Sequence, residues 1–334
     1  MSEDKARAWY LTLSLISHSL RPILSYLTAA VLSPLDSRVV GRVALAITLL
    51  VLGACAPTAS PAASTANAPI AVLGTENFYA DLLAQIGGTR VIASSILNDP
   101  AADPHEYEAS PATAKIVADS KLVIVNGIGY DDFMEKLLGA STKPDRVVIN
   151  VQEILGAKDD VNVHVWYDPA TMPKVADAAT AALAKLDPQK AAYFSAQKAK
   201  YLDALKPLNE KIASIKAKYT GAPIAFTENV AGYLTDAMGL KVLTPPAFME
   251  AIESGTDPAP ADVATERDLI TGHTVKALLY NSQVTSPLTE QIRELAVSNN
   301  VSVVPVAETI PPAFKTFQEW QLAQLDDLEK ALAK

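Results

Sequence analysis

Apolar residues between positions 70 and 150 occur in two alternating patterns. Residues 77–86, 113–120 and 131–138 have apolar positions at helical spacing. The runs 70–73, 122–125 and 147–149 are apolar at consecutive positions, as is 91–97 apart from Ser94 and Ser95. Consecutive apolar positions are typical of short strands buried on both faces. Strands that alternate with helices predict a parallel sheet covered by helices on both sides.

The same alternation returns in the second half of the chain. Strands are predicted at 224–226, 241–243, 277–280 and 301–306, and helices at 230–238, 260–271, 287–298 and 316–332. Between the halves lie an Ala-rich helical segment, 170–186, and residues 189–219, which have the spacing of one long helix. Pro207 should kink that helix, because proline removes a backbone donor and clashes with the preceding turn.

These patterns predict an α/β protein in which two parallel-sheet lobes are joined by one long linking helix. The expected bounds are 69–187 for the N-terminal lobe, 188–220 for the linking helix and 221–334 for the C-terminal lobe. Open parallel sheets bind ligands at the carboxyl ends of their strands. A binding site between the two lobes is therefore expected.

The region before the first lobe has the pattern of an export signal. Residues 43–52 are almost entirely apolar, follow Arg38 and Arg42, and end shortly before Cys55. The run is too short to span a bilayer, but it fits the apolar part of a secretory signal peptide. We predict a leader over residues 1–54 and a flexible Ala/Pro/Ser/Thr-rich tether over residues 55–68. Because signal peptides usually begin with a short charged region, we expect the true start near residue 39 or 40, the alternative being a long genuine leader.

Cys55 ends the sequence Leu-Gly-Ala-Cys, which resembles the bacterial lipobox. That resemblance implies lipidation of Cys55 and a protein anchored to the cell membrane on its extracytoplasmic side. The alternative is a small buried cysteine at the end of a membrane helix. Cys55 is the only cysteine in the chain, so an internal disulfide and cysteine-based zinc or redox motifs are excluded.

The charge of the chain excludes one class of partner. The 334 residues carry a net charge of -9, and removal of the leader, with its five basic and three acidic residues, brings this to -11. So acidic a protein is a poor candidate for binding nucleic acid through its phosphates. A hydrophobic fraction of 49% and a charged fraction of 19% are ordinary for a folded globular protein.

Two of the four histidines have distinctive surroundings. His18 lies in the leader, and His273 lies in a polar turn where a solvated side chain is expected. His105 lies in a proline-containing loop that follows a predicted strand. His164 lies where another predicted strand runs into a helix, with Asp168 as the expected N-cap of that helix. Together at two carboxyl strand ends, His105 and His164 are candidates for a binding site.

Three motifs carry a resemblance to a known family. Asp-Pro-His-Glu-Tyr-Glu at 103–108, Asn-Gly-Ile-Gly at 126–129 and His-Val-Trp-Tyr-Asp-Pro at 164–169 resemble the manganese/zinc solute-binding proteins of bacterial ABC transporters. The resemblance covers essentially the whole mature chain. It implies a metal held between the lobes by four side chains, with His105 and His164 as the first two. It also implies a monomeric receptor that delivers metal to an ABC permease and is not an enzyme.

The resemblance assigns the other two ligands to carboxylates. Glu228 follows the first strand of the second lobe, where the family has His or Glu, and Glu308 follows a late strand, where Asp is usual. The longer side chain of Glu308 could shift the metal or bind it through both oxygens. Each glutamate has an alternative interpretation. Glu228 could be a residue at a helix N-terminus, where the helix dipole favours an acidic side chain, and Glu308 could lie in a surface turn.

Two imidazoles and two carboxylates would form a site with a formal charge of -2, which suits a divalent cation. If the carboxylates bind through both oxygens, the coordination number rises above four, which suits Mn²⁺. If each binds through one oxygen, the same four ligands suit four-coordinate Zn²⁺. Family members with a third histidine tend to serve zinc and those with glutamate tend to serve manganese, so Glu228 favours Mn²⁺. Candidates for orienting the imidazoles are Asn126, Asp168 and Tyr107.

Two other functions fit the same residues. A secreted zinc-dependent hydrolase could use two histidines and a glutamate, but four protein ligands would leave no open position, and the His-Glu-X-X-His motif is absent from the sequence. A surface adhesin stabilised by a metal is the other alternative. It predicts that the protein unfolds without metal, whereas a receptor must remain folded when empty.

Overall fold

The computed structural model describes residues 68–334. The predicted leader, the lipidation site Cys55 and nearly all of the predicted tether lie outside the described residues. These described residues form one compact unit. No helix within residues 68–334 combines the length and the apolar character needed to cross a membrane.

The N-terminal lobe is built on a four-stranded parallel sheet with the order β2-β1-β3-β4. Its strands are β1 (Ile70–Glu76), β2 (Val91–Leu97), β3 (Leu122–Val125) and β4 (Val147–Asn150). Its helices are α1 (Asn77–Gly87), α2 (Pro111–Asp119), α3 (Phe133–Ala140), α4 (Val151–Leu155) and α5 (Thr171–Leu186). All four residues of β3 are buried, as expected for an apolar central strand covered on both faces.

The C-terminal lobe repeats this arrangement with the strand order β6-β5-β7-β8, again all parallel. Its strands are β5 (Pro223–Phe226), β6 (Lys241–Val242), β7 (Ala277–Asn281) and β8 (Ser302–Val306). Its helices are α8 (Gly232–Ala237), α9 (Pro246–Glu253), α10 (Pro260–Thr271), α11 (Pro287–Ser298) and α12 (Phe317–Leu332). The predicted class, two parallel-sheet α/β lobes, is confirmed.

The segment between the lobes consists of two helices, α6 (Ala191–Ala204) and α7 (Lys206–Tyr219). The sequence predicted one helix with a kink at Pro207. The break lies at that place: α6 ends at Ala204, Leu205 keeps helical backbone angles, and α7 begins at Lys206 with Pro207 in its first turn. Proline is well tolerated there, because the first backbone N–H groups of a helix have no intrahelical acceptor.

One hydrophobic core extends through both lobes, since buried residues from β1, α1, β5 and α12 belong to the same cluster. Polar contacts reinforce this junction. Asn77 at the start of α1 exchanges two hydrogen bonds with the backbone of Ile310, at 2.8 and 3.0 Å. The carboxylate of Asp81 accepts the N–H of Phe317, the first residue of α12, at 2.9 Å. The base of the cleft between the lobes is therefore a continuous packed interface.

Two local predictions around His164 are wrong. His164 does not follow a strand: it directly precedes a single 3₁₀ turn, Val165–Tyr167, after the loop that leaves α4. Asp168 is not the N-cap of α5, because that helix starts at Thr171 and the Asp168 carboxylate accepts the N–H of Ala170. The side chain of Trp166 is fully buried, and packing of this ring overrides the strand preference of the local sequence.

Candidate metal centre

Four side chains predicted to form a site converge between the lobes. The ligand atoms of His105, His164, Glu228 and Glu308 all lie within 4.8 Å of one another. His105 and His164 come from the N-terminal lobe, and Glu228 and Glu308 come from the C-terminal lobe. Three of the four are fully buried, and His105 keeps 19% of its side chain exposed. His105 is therefore the most accessible of the four side chains.

His105 is held by a short turn after β2. Asp103 caps the 3₁₀ turn Pro104–Glu106, and its carboxylate accepts the backbone N–H of His105 at 2.9 Å. Proline at the first position of this turn restricts the backbone on both sides. The local sequence therefore fixes the backbone from which the imidazole reaches into the cleft.

His164 is oriented by Asn162, which the sequence reasoning did not identify. The side-chain oxygen of Asn162 accepts both the backbone N–H and the Nδ1–H of His164, at 2.9 and 2.8 Å. The amide nitrogen of Asn162 donates to the carbonyl of Asn229, so the oxygen must be the atom that faces His164. This arrangement places the proton on Nδ1 and leaves the lone pair of Nε2 available to coordinate a metal ion.

The two carboxylates follow the carboxyl ends of β5 and β8 and face the imidazoles. Nε2 of His105 lies 3.4 Å from Oε1 of Glu228 and 3.3 Å from Oε2 of Glu308. Nε2 of His164 lies 3.7 and 3.2 Å from the same two oxygens. Oε1 of Glu228 and Nε2 of His105 are buried and make no hydrogen bond with other described residues. Polar atoms buried in this way are expected where a bound ion completes their coordination.

Two further side chains hold the carboxylates in place. The hydroxyl of Tyr130 donates to Oε2 of Glu308 at 2.9 Å, and the amide nitrogen of Asn281 donates to Glu228 at 2.6 Å and to Glu308 at 2.7 Å. Both were missed from the sequence. Asn281 ends β7, so the rule that sites gather at carboxyl strand ends could have singled it out, whereas Tyr130 lies in a loop without such a signal.

The three predicted orienting residues do not bond to an imidazole ring in residues 68–334. Asn126 donates to the carbonyl of Val163 at 2.9 Å, so it holds the backbone just before His164. Tyr107 bonds to the hydroxyl of Thr113, and Asp168 bonds within its own turn. His273 is exposed, as the sequence predicted, and its backbone φ is 51°. It does not belong to the group of four converging side chains.

Gln283 connects the two halves of the site. Its side-chain oxygen accepts the backbone N–H of Glu308 at 2.7 Å. Its amide nitrogen donates to the carbonyls of Asp99 and Ala102, at 3.3 and 3.2 Å, in the loop that leads to His105. The side chain of Gln283 thus connects the loop before His105 in the N-terminal lobe to the backbone of Glu308 in the C-terminal lobe.

The close packing of acids and bases shifts their proton affinities. Burial alone would lower the pKa of His105, but the contacts with Glu228 and Glu308 outweigh it and raise this pKa to about 11. Burial and the neighbouring Glu308 raise the pKa of Glu228. Burial would also raise the pKa of Glu308, but its contacts with His105 and His164 outweigh burial and lower this pKa below its usual value. Without a metal, a proton on His105 compensates the carboxylates.

The chain belongs to the family described as "Zinc-uptake complex component A periplasmic", whose sequence profile matches residues 72–331. The match includes all four converging side chains. This description names a periplasmic component of a zinc-uptake complex, and zinc is a metal that the four side chains described above could bind.

Individual relatives are distant. The manganese-binding lipoprotein MntA of Halalkalibacterium halodurans is 28% identical over 169 residues, which are 48% of this chain and 54% of that protein. The chain thus spans about half the length of this relative. The manganese ABC transporter substrate-binding lipoprotein PsaA of Streptococcus mitis is 24% identical over 258 residues, covering 72% of this chain and 80% of that one.

The fold is shared with a solved structure, the periplasmic zinc-binding protein TroA of Treponema pallidum. The TM-score is 0.68 at 19% sequence identity, and the match covers 80% of this chain and all of that chain. At this identity the similarity establishes the two-lobed fold.

Proposed function

We propose that this protein is a high-affinity receptor for a divalent metal ion, Mn²⁺ or Zn²⁺, which it delivers to an ABC permease. His105, His164, Glu228 and Glu308 would bind the ion, and binding and release would involve no covalent chemistry. The observation that carries the proposal is the convergence of two imidazole nitrogens and two carboxylates from opposite lobes. Nitrogen and oxygen donors with a formal charge of -2 suit these two cations.

The named relatives support the same assignment. One relative is named as manganese-binding, another as the substrate-binding lipoprotein of a manganese ABC transporter, and a structural neighbour is described as zinc-binding. The proposal includes anchoring on the extracytoplasmic face of the membrane through a lipid on Cys55. Incorporation of a radiolabelled fatty acid into the wild-type chain but not into Cys55→Ser tests the anchor, and equal labelling of both would contradict it.

Equilibrium dialysis of the purified full chain in detergent against Mn²⁺ and Zn²⁺, separately and together, tests the receptor function. We expect one tightly held ion per chain. His105→Ala should weaken binding by at least about tenfold, because one of four ligands is lost while the fold persists. His273→Ala is the matched control and should bind as the wild type does. The absence of a stoichiometric ion in the wild type would contradict the receptor function, and unchanged affinity in His105→Ala would contradict that ligand.

Metal binding should release protons even in mildly alkaline solution. The raised pKa of His105 keeps its imidazole protonated in the metal-free protein until the pH rises through about 11. The stabilising contact of this imidazolium with the carboxylates is fully present below the unfolded pKa near 6.5 and is lost as the pH rises through the folded value. A bound ion must displace this proton.

The expected result is that about one proton is released per ion at pH 8, with the dissociation constant rising about tenfold for each unit of pH lost between pH 8 and pH 7. Calorimetry in two buffers with different ionisation enthalpies counts the protons. A dissociation constant that stays the same from pH 7 to pH 8 would show that His105 is neutral before the ion binds. His273→Ala again serves as the control, since an exposed imidazole should not change the count.

A further inference from the structure

We propose that Asn281 limits each carboxylate of the metal centre to one coordinating oxygen, and so restricts the centre to four protein donors. The inference rests on the proposed function, since it concerns how the same four side chains bind the ion. It makes Asn281 a positioning residue that influences which metal the site prefers.

Asn281 lies at a position in the sheet from which its side chain reaches both carboxylates. It is the last residue of β7, and β7 lies between β5 and β8. The chain leaving β5 leads to Glu228, and the chain leaving β8 leads to Glu308. Because parallel strands end at the same edge, the fully buried Asn281 side chain lies between the two glutamates.

The orientation of the Asn281 amide is fixed by its other contacts. Its side-chain oxygen accepts the backbone N–H of Gln283 at 3.0 Å, and its backbone N–H donates to the hydroxyl of Thr227 at 3.0 Å. The amide nitrogen must therefore face the carboxylates. Its two hydrogens are used on Oε2 of Glu228 and Oε1 of Glu308, at 2.6 and 2.7 Å.

The remaining oxygen of each carboxylate faces the imidazoles. These are Oε1 of Glu228 and Oε2 of Glu308, which lie 3.2–3.7 Å from the Nε2 atoms of His105 and His164. Bonds of the length found in zinc sites place neighbouring donors of a tetrahedron about 3.3–3.5 Å apart. Four of the six edges, the nitrogen–oxygen distances of 3.2–3.7 Å, are therefore close to those of a tetrahedron of two nitrogens and two oxygens.

This geometry has a consequence for metal preference. For both of its oxygens to reach one ion, each carboxylate would have to turn the oxygen bonded to Asn281 towards the imidazoles, which would lengthen or break that hydrogen bond. Hydrogen bonds to charged acceptors are among the stronger ones in proteins. Mn²⁺ favours more oxygen donors than four-coordinate Zn²⁺ does. Asn281 thus disfavours the bidentate carboxylate binding that would suit Mn²⁺.

Co²⁺ is a suitable probe, because four-coordinate Co²⁺ absorbs visible light much more strongly than six-coordinate Co²⁺. Titration of the purified full chain with Co²⁺ should give the intense spectrum of a four-coordinate ion. In Asn281→Ala the absorption per bound Co²⁺ should fall, as the freed oxygens coordinate. The ratio of Mn²⁺ to Zn²⁺ affinity should rise by at least about tenfold, since both hydrogen bonds to charged oxygens are gone.

The controls separate a positioning role from a purely structural one. Asn281→Ser keeps one donor and should give intermediate intensity, whereas Asn209→Ala changes an exposed asparagine on α7 and should leave spectrum and ratio unchanged. A weak six-coordinate spectrum in the wild type would overturn the inference without any variant. An unchanged spectrum and ratio in Asn281→Ala would also overturn it. If the wild type binds no stoichiometric ion, the proposed function fails instead.

Discussion

Replacing Glu308 with Gln is expected to weaken metal binding by about 100-fold or more. Glu308 is fully buried, and its Oε2 lies 3.2 Å from Nε2 of His164, 3.3 Å from Nε2 of His105 and 2.9 Å from the Tyr130 hydroxyl. Glutamine has nearly the same shape but removes one of the two negative charges that would balance the ion. Loss of one partner from a buried charged cluster typically costs 3–5 kcal/mol, which corresponds to about 100-fold or more in affinity.

Competition with a chelator of known affinity measures this effect in the purified protein. Glu294→Gln is the matched control, because it removes the same charge at an exposed position of α11 and should leave the affinity within about twofold of the wild type. Circular dichroism establishes that both variants are folded. If Glu308→Gln binds Zn²⁺ as tightly as the wild type, Glu308 is not a ligand, and the family resemblance was wrong at this position.

The architecture was accessible from periodicity alone. Every predicted strand of the folded body except the one ascribed to residues before His164 has a counterpart among β1–β8, because buried parallel strands are apolar at consecutive positions. The short helices α4 and α9 were missed. With five residues, α4 spans too few turns for an apolar repeat to become visible.

The candidate site needed two kinds of information. Periodicity placed Glu228 and Glu308 after strand ends, and the structure agrees with that placement. Singling out these two glutamates from many others depended on the resemblance to a family. His164 was found by its motif even though its predicted strand was wrong, because the motif is a property of sequence and the 3₁₀ turn depends on the packing of Trp166.

Most of the residues that hold the four candidate metal ligands in position could not be predicted from the sequence. Asn162 acts two residues from His164, Tyr130 acts across the cleft on Glu308, and Asn281 bridges two glutamates from different strands. Each of these contacts depends on side-chain geometry in three dimensions. Asparagine and tyrosine are also common in loops and strand ends for reasons unrelated to binding, so their type alone carries little information.

Trp320 should contribute more to the stability of the fold than any residue of the metal centre. This residue of α12 is 1% exposed and stacks near Phe78 of α1, with ring centroids 6.4 Å apart. Phe78 in turn stacks on Trp166 at 4.6 Å, and Tyr167 contacts Trp320 edge-on at 5.9 Å. This aromatic cluster joins the C-terminal helix to the N-terminal lobe and continues to the imidazole of His164, 5.2 Å from Trp166.

Trp320→Ala is expected to lower the free energy of unfolding by about 3–5 kcal/mol, the usual cost of deleting a large buried aromatic ring. Urea unfolding of the metal-free protein measures it. Asp327→Ala, at an exposed position of the same helix, should change the value by no more than about 0.5 kcal/mol. Because the cluster contacts both lobes, the variant should still unfold in one transition. A separate early transition of one lobe, or a loss below about 1 kcal/mol, would show that the lobes are stabilised independently of this junction.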